Sequence, residues 1–287
     1  MSDKQPAAAA YSRLCVAYFL EFAIWGSWAI ALSGFGPNVV GFSPGQMSWL
    51  YSAIPFGAII SPLFIGPIAD RYFPAQRVIA LLHLLSGFCL IVSAIVCTMD
   101  MPINTKFGVL VTLLMLHGIL YMPTIALVNS VVFKHLPNPD NAPQVFVFGT
   151  LGWIVINLFI EVFCGGMGSA NFFYVGGACS LLLAAYAMTL PNTPPKGAAG
   201  GDALGLGALK LFKDPVFAIF VLCAFLASIP ACGLLFAVMG DLLGQRGYPA
   251  PLALGTLNQI SELFFMALLP IFVSKLGLKK VLGIGML

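Results

Sequence analysis

The segment PLALGTLNQISELFFMALLPIFV, residues 251–273, is apolar from end to end apart from a short polar insertion around Gln259 and Glu262. A bilayer core about 30 Å thick is crossed by about 20 apolar residues in a helix, and this run is long enough. An acid at the centre of such a helix costs about 2.5–3.5 kcal/mol on insertion scales. Gln259 and Glu262 are therefore either a hydrogen bond that glues helices together or a functional site. Being three apart, they share one helix face, which Met266 continues.

The same apolar pattern fills the rest of the chain. Of 287 residues, 60% are hydrophobic and 8% charged, against roughly 25% charged in a soluble domain. Only lipid can cover that much apolar surface. Apolar runs predict spans near 14–35, 46–69, 78–98, 107–133, 145–165, 170–190, 215–239 and 252–274, and a ninth stretch begins at Leu278. A barrel's alternation of polar and apolar residues is missing, so the fold class is an all-α membrane protein. Seven cysteines lie scattered with no C-x-x-C spacing and read as small hydrophobes rather than a disulfide framework or metal site. The polar start MSDKQPAAAAYSR is followed by a first span expected to act as an uncleaved anchor. A net charge of +3 gives no reason to expect a nucleic-acid partner.

Lys4, Arg13, Arg71, Arg77, Lys134, Lys196, Lys210, Lys213, Lys275, Lys279 and Lys280 fall on one side of these spans, and only Lys106 and Arg246 on the other. That bias predicts a cytoplasmic N-terminus. The longest polar interruption, PNTPPKGAAGGDALGLGALKLFKDP, lies between the sixth and seventh spans. It divides the chain into a six-helix bundle (1–190), a cytoplasmic linker (191–214) and a partial second bundle (215–287). Within the linker, ALGLGALKLFK is expected to lie as a short amphipathic helix on the membrane surface. A shift of 203 residues aligns GPIADRYFPAQRVIALL (66–82) with LPIFVSKLGLKKVLGIG (269–285), the offset of a parallel two-fold repeat.

GPIADRYFPAQR resembles the signature between the second and third helices of major facilitator transporters. The resemblance makes Gly66, Asp70, Arg71 and Arg77 a gating loop rather than a substrate contact. Further, LEFAIWGSW (20–28), YMPTIALVNS (121–130), FGTLGW (148–153) and NQISELFF (258–265) are similar to the nucleoside:proton symporter family within that superfamily. The likeness runs along essentially the whole chain. It implies a twelve-helix carrier that takes up nucleosides with protons, of which this chain covers about the first eight helices. A carrier of that kind is expected in the cell inner membrane. Carried over residue by residue, it places Thr150, Trp153, Gln259 and Glu262 at the substrate site. The arginine it implies on the fifth helix falls at Phe146, and SIPACGLLF (228–236) lacks the amides it implies on the seventh.

The residues themselves support a site of that kind. Gln259 offers donors and an acceptor, and Glu262 can take or release a proton. Such a pair suits a neutral, hydroxyl-rich ligand, and Glu262 is the first candidate for the coupling proton, with Glu21 the second. Phe146, Thr150 and Trp153 form an aromatic–hydroxyl–aromatic stripe on which a base can stack. Glu161 reads as interfacial, Asn129 and Asn157 as interhelical hydrogen bonds, and His83 and His117 as lone packing residues. No phosphate loop, zinc motif or dinucleotide fingerprint occurs, so neither an enzyme nor a cofactor is expected. The rival readings are a carrier for a sugar, purine or other neutral metabolite, and a non-transporting membrane receptor or inactive fragment.

Overall fold

The computed structural model describes residues 7–138, 141–195, 206–228 and 235–285. Every regular element among them is helical: α1 (Ala7–Ala29), α2 (Ala31–Phe35), α3 (Pro44–Tyr51), α4 (Ala53–Arg71), α5 (Ala75–Thr98), α6 (Ile103–His135), α7 (Ala142–Phe163), α8 (Asn171–Ala187), α9 (Pro215–Ser228), α10 (Leu235–Gln245), α11 (Pro251–Leu276) and α12 (Leu278–Gly285). Lipid explains the uniformity, because a helix satisfies its own backbone hydrogen bonds and an open strand cannot. Among the described residues, five stretches are long and apolar enough to cross a membrane: Ala10–Val40, Pro44–Ile65, Ala75–Thr98, Ile103–His135 and Ala142–Phe163.

Proline and short polar residues set the starts. Pro44 and Pro251 open α3 and α11, where the missing N–H costs nothing. Ser43 completes a capping box on α3: the Gln46 N–H donates to its Oγ at 3.3 Å, and its own N–H donates to Gln46 Oε1 at 2.9 Å. The 33-residue α6 contains Pro123 yet continues through it. At 1.5 Å per residue it is roughly 50 Å long, more than an upright span requires.

The core forms where α1 packs against α7 and α8, and where α5 packs against α6 and α8. Trp28, Tyr121, Phe172 and Phe173 are fully buried there. Two backbone approaches demand glycine: a Cβ on Gly152 would overlap the Phe19 carbonyl of α1, and one on Gly57 would overlap the backbone of Gly118. Small residues at such crossings are how helices pack closely without a hydrophobic drive between them.

One end of the bundle is stitched together by the segment after α8. Arg13 Nη1 donates to the Thr189 carbonyl at 2.7 Å, Gln76 Nε2 to Asn192 Oδ1 at 2.7 Å, and the Ala75 N–H to the Thr193 carbonyl at 3.0 Å. This end holds the start of α1 and is called the near face; the far face holds residues 36–43, 99–102, 164–170 and 246–250. α10 packs on α2, and α11 on α7, whereas α9 buries no residue.

All eight predicted spans are helical where described, with differences at their ends. The sixth is Asn171–Ala187, and the seventh runs past 239 to Gln245, residues 229–234 of it lying outside the described residues. The expected loop around 66–77 is mostly helix: α4 continues through Arg71, and Arg77 already belongs to α5, leaving only Tyr72–Pro74 as the connection. Of ALGLGALKLFK, residues 206–213 form a 3-10 segment, exposing Leu209, Leu211 and Phe212, and the linker's 196–205 lies outside the described residues.

Gly152→Val should force α1 and α7 apart, with a cost of about 1–3 kcal/mol typical of overpacking. The midpoint of thermal unfolding in detergent should fall clearly, whereas Gly108→Ala, where an added Cβ meets nothing within 4 Å, should leave it unchanged.

Candidate functional site

Four helices enclose a cavity of about 250 Å³ near mid-span, lined by Tyr18, Phe22 and Trp25 of α1, Phe146, Gly149, Thr150 and Trp153 of α7, Phe236 of α10, and Gln259, Glu262 and Met266 of α11. Each contribution follows from helical spacing. Residues 18, 22 and 25 are four and three apart, 146, 150 and 153 are four and three apart, and 259, 262 and 266 are three and four apart, so each set occupies one face. Gly149 leaves room for the Tyr18 and Phe22 rings, which its Cβ would meet at 2.9 and 2.8 Å.

The walls are aromatic. Tyr18 stacks on Phe146 with ring centroids 4.9 Å apart, and Trp25 meets Trp153 edge-on at 5.7 Å. Phe236 lies 5.7 Å from Trp25 and 5.2 Å from Trp153, closing the cavity on the far side. The polar atoms sit opposite one another across α7 and α11: Thr150 Oγ1 donates to Glu262 Oε1 at 3.4 Å. Trp153 Nε1 and Gln259 Oε1 are buried with no hydrogen-bond partner among the described residues. Both residues line the cavity, so a donor at Trp153 and an acceptor at Gln259 are placed beside it.

Burial along α11 shows where the cavity leads. Leu252, Thr256 and Gln259 are buried on the face toward α7, but Glu262 on the same face is exposed. The helices therefore diverge toward the near face.

All five expected substrate residues, Phe146, Thr150, Trp153, Gln259 and Glu262, border this one cavity. Phe146 contributes a ring to its wall. Glu21 does not line it. Its side chain is fully buried behind the α1 wall, where Oε2 sits 3.0 Å from His83 Nε2 and Oε1 accepts from Thr124 Oγ1 at 2.6 Å. Tyr121 OH donates to the Glu21 backbone carbonyl at 2.7 Å, and His117 stacks on the Tyr121 ring. His83 is thus the partner of a buried acid and not a lone packing residue. His117 is fully buried among rings and is not alone either, since its Nδ1 lies 2.8 Å from Ser86 Oγ. Asn129 and Asn157 make the interhelical bonds expected of them: Tyr18 OH donates to Asn129 Oδ1 at 3.1 Å, and Asn157 Nδ2 donates to the Gly26 carbonyl at 3.2 Å.

In the expected gating group, Arg71 closes α4 and Arg77 is exposed on α5; the side chains of Gly66 and Asp70 lie outside the described residues. Sequence reasoning missed Tyr18, Phe22, Trp25 and Phe236 as cavity residues. The first three carried a signal, since they form an aromatic stripe at helical spacing. Phe236 ends the stretch 228–236 where the resemblance put site residues, but it is a ring and not one of the amides looked for there.

Apolar helices of this length around a half-open cavity mark a multi-pass membrane protein, and its likeness to solved NupG structures makes the fold one of the major facilitator type. The chain overlays a crystal structure of the nucleoside transporter NupG with a TM-score of 0.75 and 25% identity, over 94% of this chain and 69% of that one. Residues 9–287 match the family described as Nucleoside H+ symporter, and the chain belongs to that family, which is one of transporters and not of enzymes. It is 35% identical to YegT of Escherichia coli (strain K12) over 96% of its own length and 65% of that protein's. It is 34% identical to the xanthosine permease of the same organism, over 96% of this chain and 68% of that one. The chain thus spans about two thirds of the length of these curated relatives.

Removing one member of a buried hydrogen-bonded cluster leaves its partners unsatisfied, at a cost of about 1–3 kcal/mol for each stranded group. Glu21→Ala should therefore lower thermal stability sharply, and Glu21→Gln, which keeps an acceptor for Thr124, should lower it less. Both are read by unfolding of the purified protein, with no substrate present.

Proposed function

We propose that this chain supplies the first six-helix bundle (1–190), the linker (191–214) and the opening part of the second bundle (215–287) of an inner-membrane carrier. It imports nucleosides together with protons by alternating access, and its N-terminus lies in the cytoplasm. The observation that carries this reading is the cavity in which an acid, an amide and a hydroxyl from α7 and α11 face six aromatic rings. A nucleoside has both kinds of surface. Its base stacks on rings such as Tyr18, Phe146 and Trp153, and stacking is worth about 1–3 kcal/mol per base in nucleic-acid systems. Its ribose hydroxyls match Thr150, Gln259 and Glu262, each able to accept a hydrogen bond. A free sugar could lie on one ring but has no base to fill a cavity lined by six.

Glu262 suits proton coupling for two reasons. It reaches solvent through the cavity, so a proton can come and go, and its only described side-chain partner is a hydroxyl 3.4 Å away. Proton binding there makes the site neutral, and a neutral cavity is cheaper to carry through an occluded state. Glu21 is placed for a different task, since both its carboxylate oxygens are already occupied within the first bundle. The family's relation to nucleoside carriers, the charge bias and the near-face mouth of the cavity support import with release to the cytoplasm. The reading of 66–77 as a gating segment rests on the resemblance, with Arg71 and Arg77 on the cytoplasmic side.

Cells producing the full chain should accumulate labelled uridine faster when the outside is made acidic, and unlabelled nucleosides should compete better than free bases or sugars. Glu262→Gln should slow uptake at least tenfold and flatten its dependence on external pH. Wild-type uptake by that variant, with an unchanged pH profile, would remove Glu262 from the mechanism. Trp153→Ala should weaken uridine binding by about tenfold, the equivalent of about 1.4 kcal/mol.

A further inference from the structure

Beyond Phe236, toward the far face, the two bundles touch at several places, and two of them involve acids that do not line the cavity, Glu161 and Asp241. Glu161 lies on α7, eight residues past Trp153. The Leu252 N–H donates to its Oε2 at 2.8 Å. Leu252 is the second residue of α11, whose first turn has backbone N–H groups without partners inside the helix. Pro251 has no N–H to offer, so that of Leu252 is the first the helix presents. The preceding residue, Ala250, adopts a left-handed backbone at φ 54° and its side chain caps nothing. The capping acceptor that α11 lacks locally is therefore delivered from a different helix, with the charge sign that a helix N-terminus favours.

The other contacts sit at the same level, where the end of α1 and α2 meets α10. Asn38 Nδ2 donates to Asp241 Oδ1 at 3.1 Å and to the Gly34 carbonyl at 2.9 Å. Gly240 lies so close to the Ile30 carbonyl and Ser33 Oγ that it has no room for a side chain, and the Met167 side chain wedges against Gly34 and Gly240. Ser33 is 1% exposed and Leu252 fully buried, so this end is shut while the near end is open at Glu262.

We infer that Glu161 is a positioning residue of the carrier: by capping α11 from α7 it clamps the far end shut and holds Gln259 and Glu262 opposite Thr150 and Trp153. Leu252 and Gln259 are seven apart, about two helical turns, so a hold on the helix start sets where the amide and acid fall. Entry of a solute from the far side requires α7 and α11 to part, and the Glu161–Leu252 bond must then break. The inference rests on the transport reading for its purpose, but the clamp itself can be tested without any solute.

The test uses Ser33→Cys in the full chain with the native cysteines replaced, in membranes, probed by an impermeant thiol reagent from the far side. With Glu161 intact, the buried thiol should react slowly. Glu161→Ala should raise the labelling rate several-fold, and Glu161→Gln, whose amide oxygen can still accept from Leu252, should raise it less. A purely stabilising role would lower the unfolding midpoint in Glu161→Ala without changing labelling of the folded protein. An unchanged labelling rate in folded Glu161→Ala would overturn the clamp; should that variant fail to fold, the same readout on Glu161→Met, which fills the space but offers no acceptor to Leu252, decides, with unchanged labelling again fatal. If labelling rises but uridine neither binds nor protects, the clamp stands and the nucleoside reading falls.

Discussion

A carboxyl group inside a slab of hydrocarbon must find a partner, a proton or water, because nothing in lipid will solvate it. The described helices meet that constraint three times and solve it three ways. Glu21 is sealed and paired, its two oxygens divided between His83 and Thr124. Glu161 is spent on a helix end, where free backbone N–H groups supply the positive pole. Glu262 keeps access to water through the cavity, with a single hydroxyl contact. Of the three carboxyls, Glu262 is the one that lines the cavity and faces the aromatic walls.

The paired solution has a structural consequence. His83 also touches Ser180, whose hydroxyl donates to the His83 carbonyl at 2.8 Å, so the Glu21 cluster joins α1, α5, α6 and α8 at one buried point. Buried polar clusters specify which helices meet, and a satisfied one rigidifies its surroundings. The stiff first bundle then offers α1 and α7 as a fixed wall against which α10 and α11 are placed. Glycines set the spacing of that wall: Gly152 brings the α7 backbone onto Phe19, and Gly149 admits the Tyr18 and Phe22 rings.

Much of this was legible in the sequence, and the division is physical. Span positions follow from length and apolarity, which lipid imposes locally, so each predicted span is helical where described. Cavity residues on one helix were legible because 3.6-residue periodicity relates neighbours: 146, 150 and 153 go together, as do 259, 262 and 266. What periodicity cannot supply is the partner from another helix. His83 and Glu21 are 62 residues apart, and no local signal ties them. The same holds for Glu161 and Leu252, 91 residues apart, where the sequence offers only an acid near a span end. The loop expected at 66–77 rested on a resemblance to a signature and not on a local break signal, and α4 runs on through Arg71 to leave only Tyr72–Pro74 as the turn.

α11 gathers these threads into one geometric problem. Its first two turns are buried against α7 and α1, with Gly255 facing the Ile30 side chain, and from Glu262 onward its flank toward α7 is open. A rigid helix held at one end and free at the other turns a small angular change at the held end into a larger displacement further along. With a rise of 1.5 Å per residue, Glu262 lies about 15 Å from Leu252. A tilt of about ten degrees about Leu252 would therefore move Glu262 by roughly 2–3 Å, enough to make or break its contact with Thr150 at 3.4 Å. On the proposed mechanism this lever is what couples the closed end to the site, since a change that releases the helix start also alters what surrounds the acid. Phe236 sits on α10, beside the same far-face contacts, and its packing on Trp25 and Trp153 would be lost in the same movement. Opening the far end would then uncover the cavity and loosen the grip of Thr150 on Glu262 together, so the two need no separate signal between them.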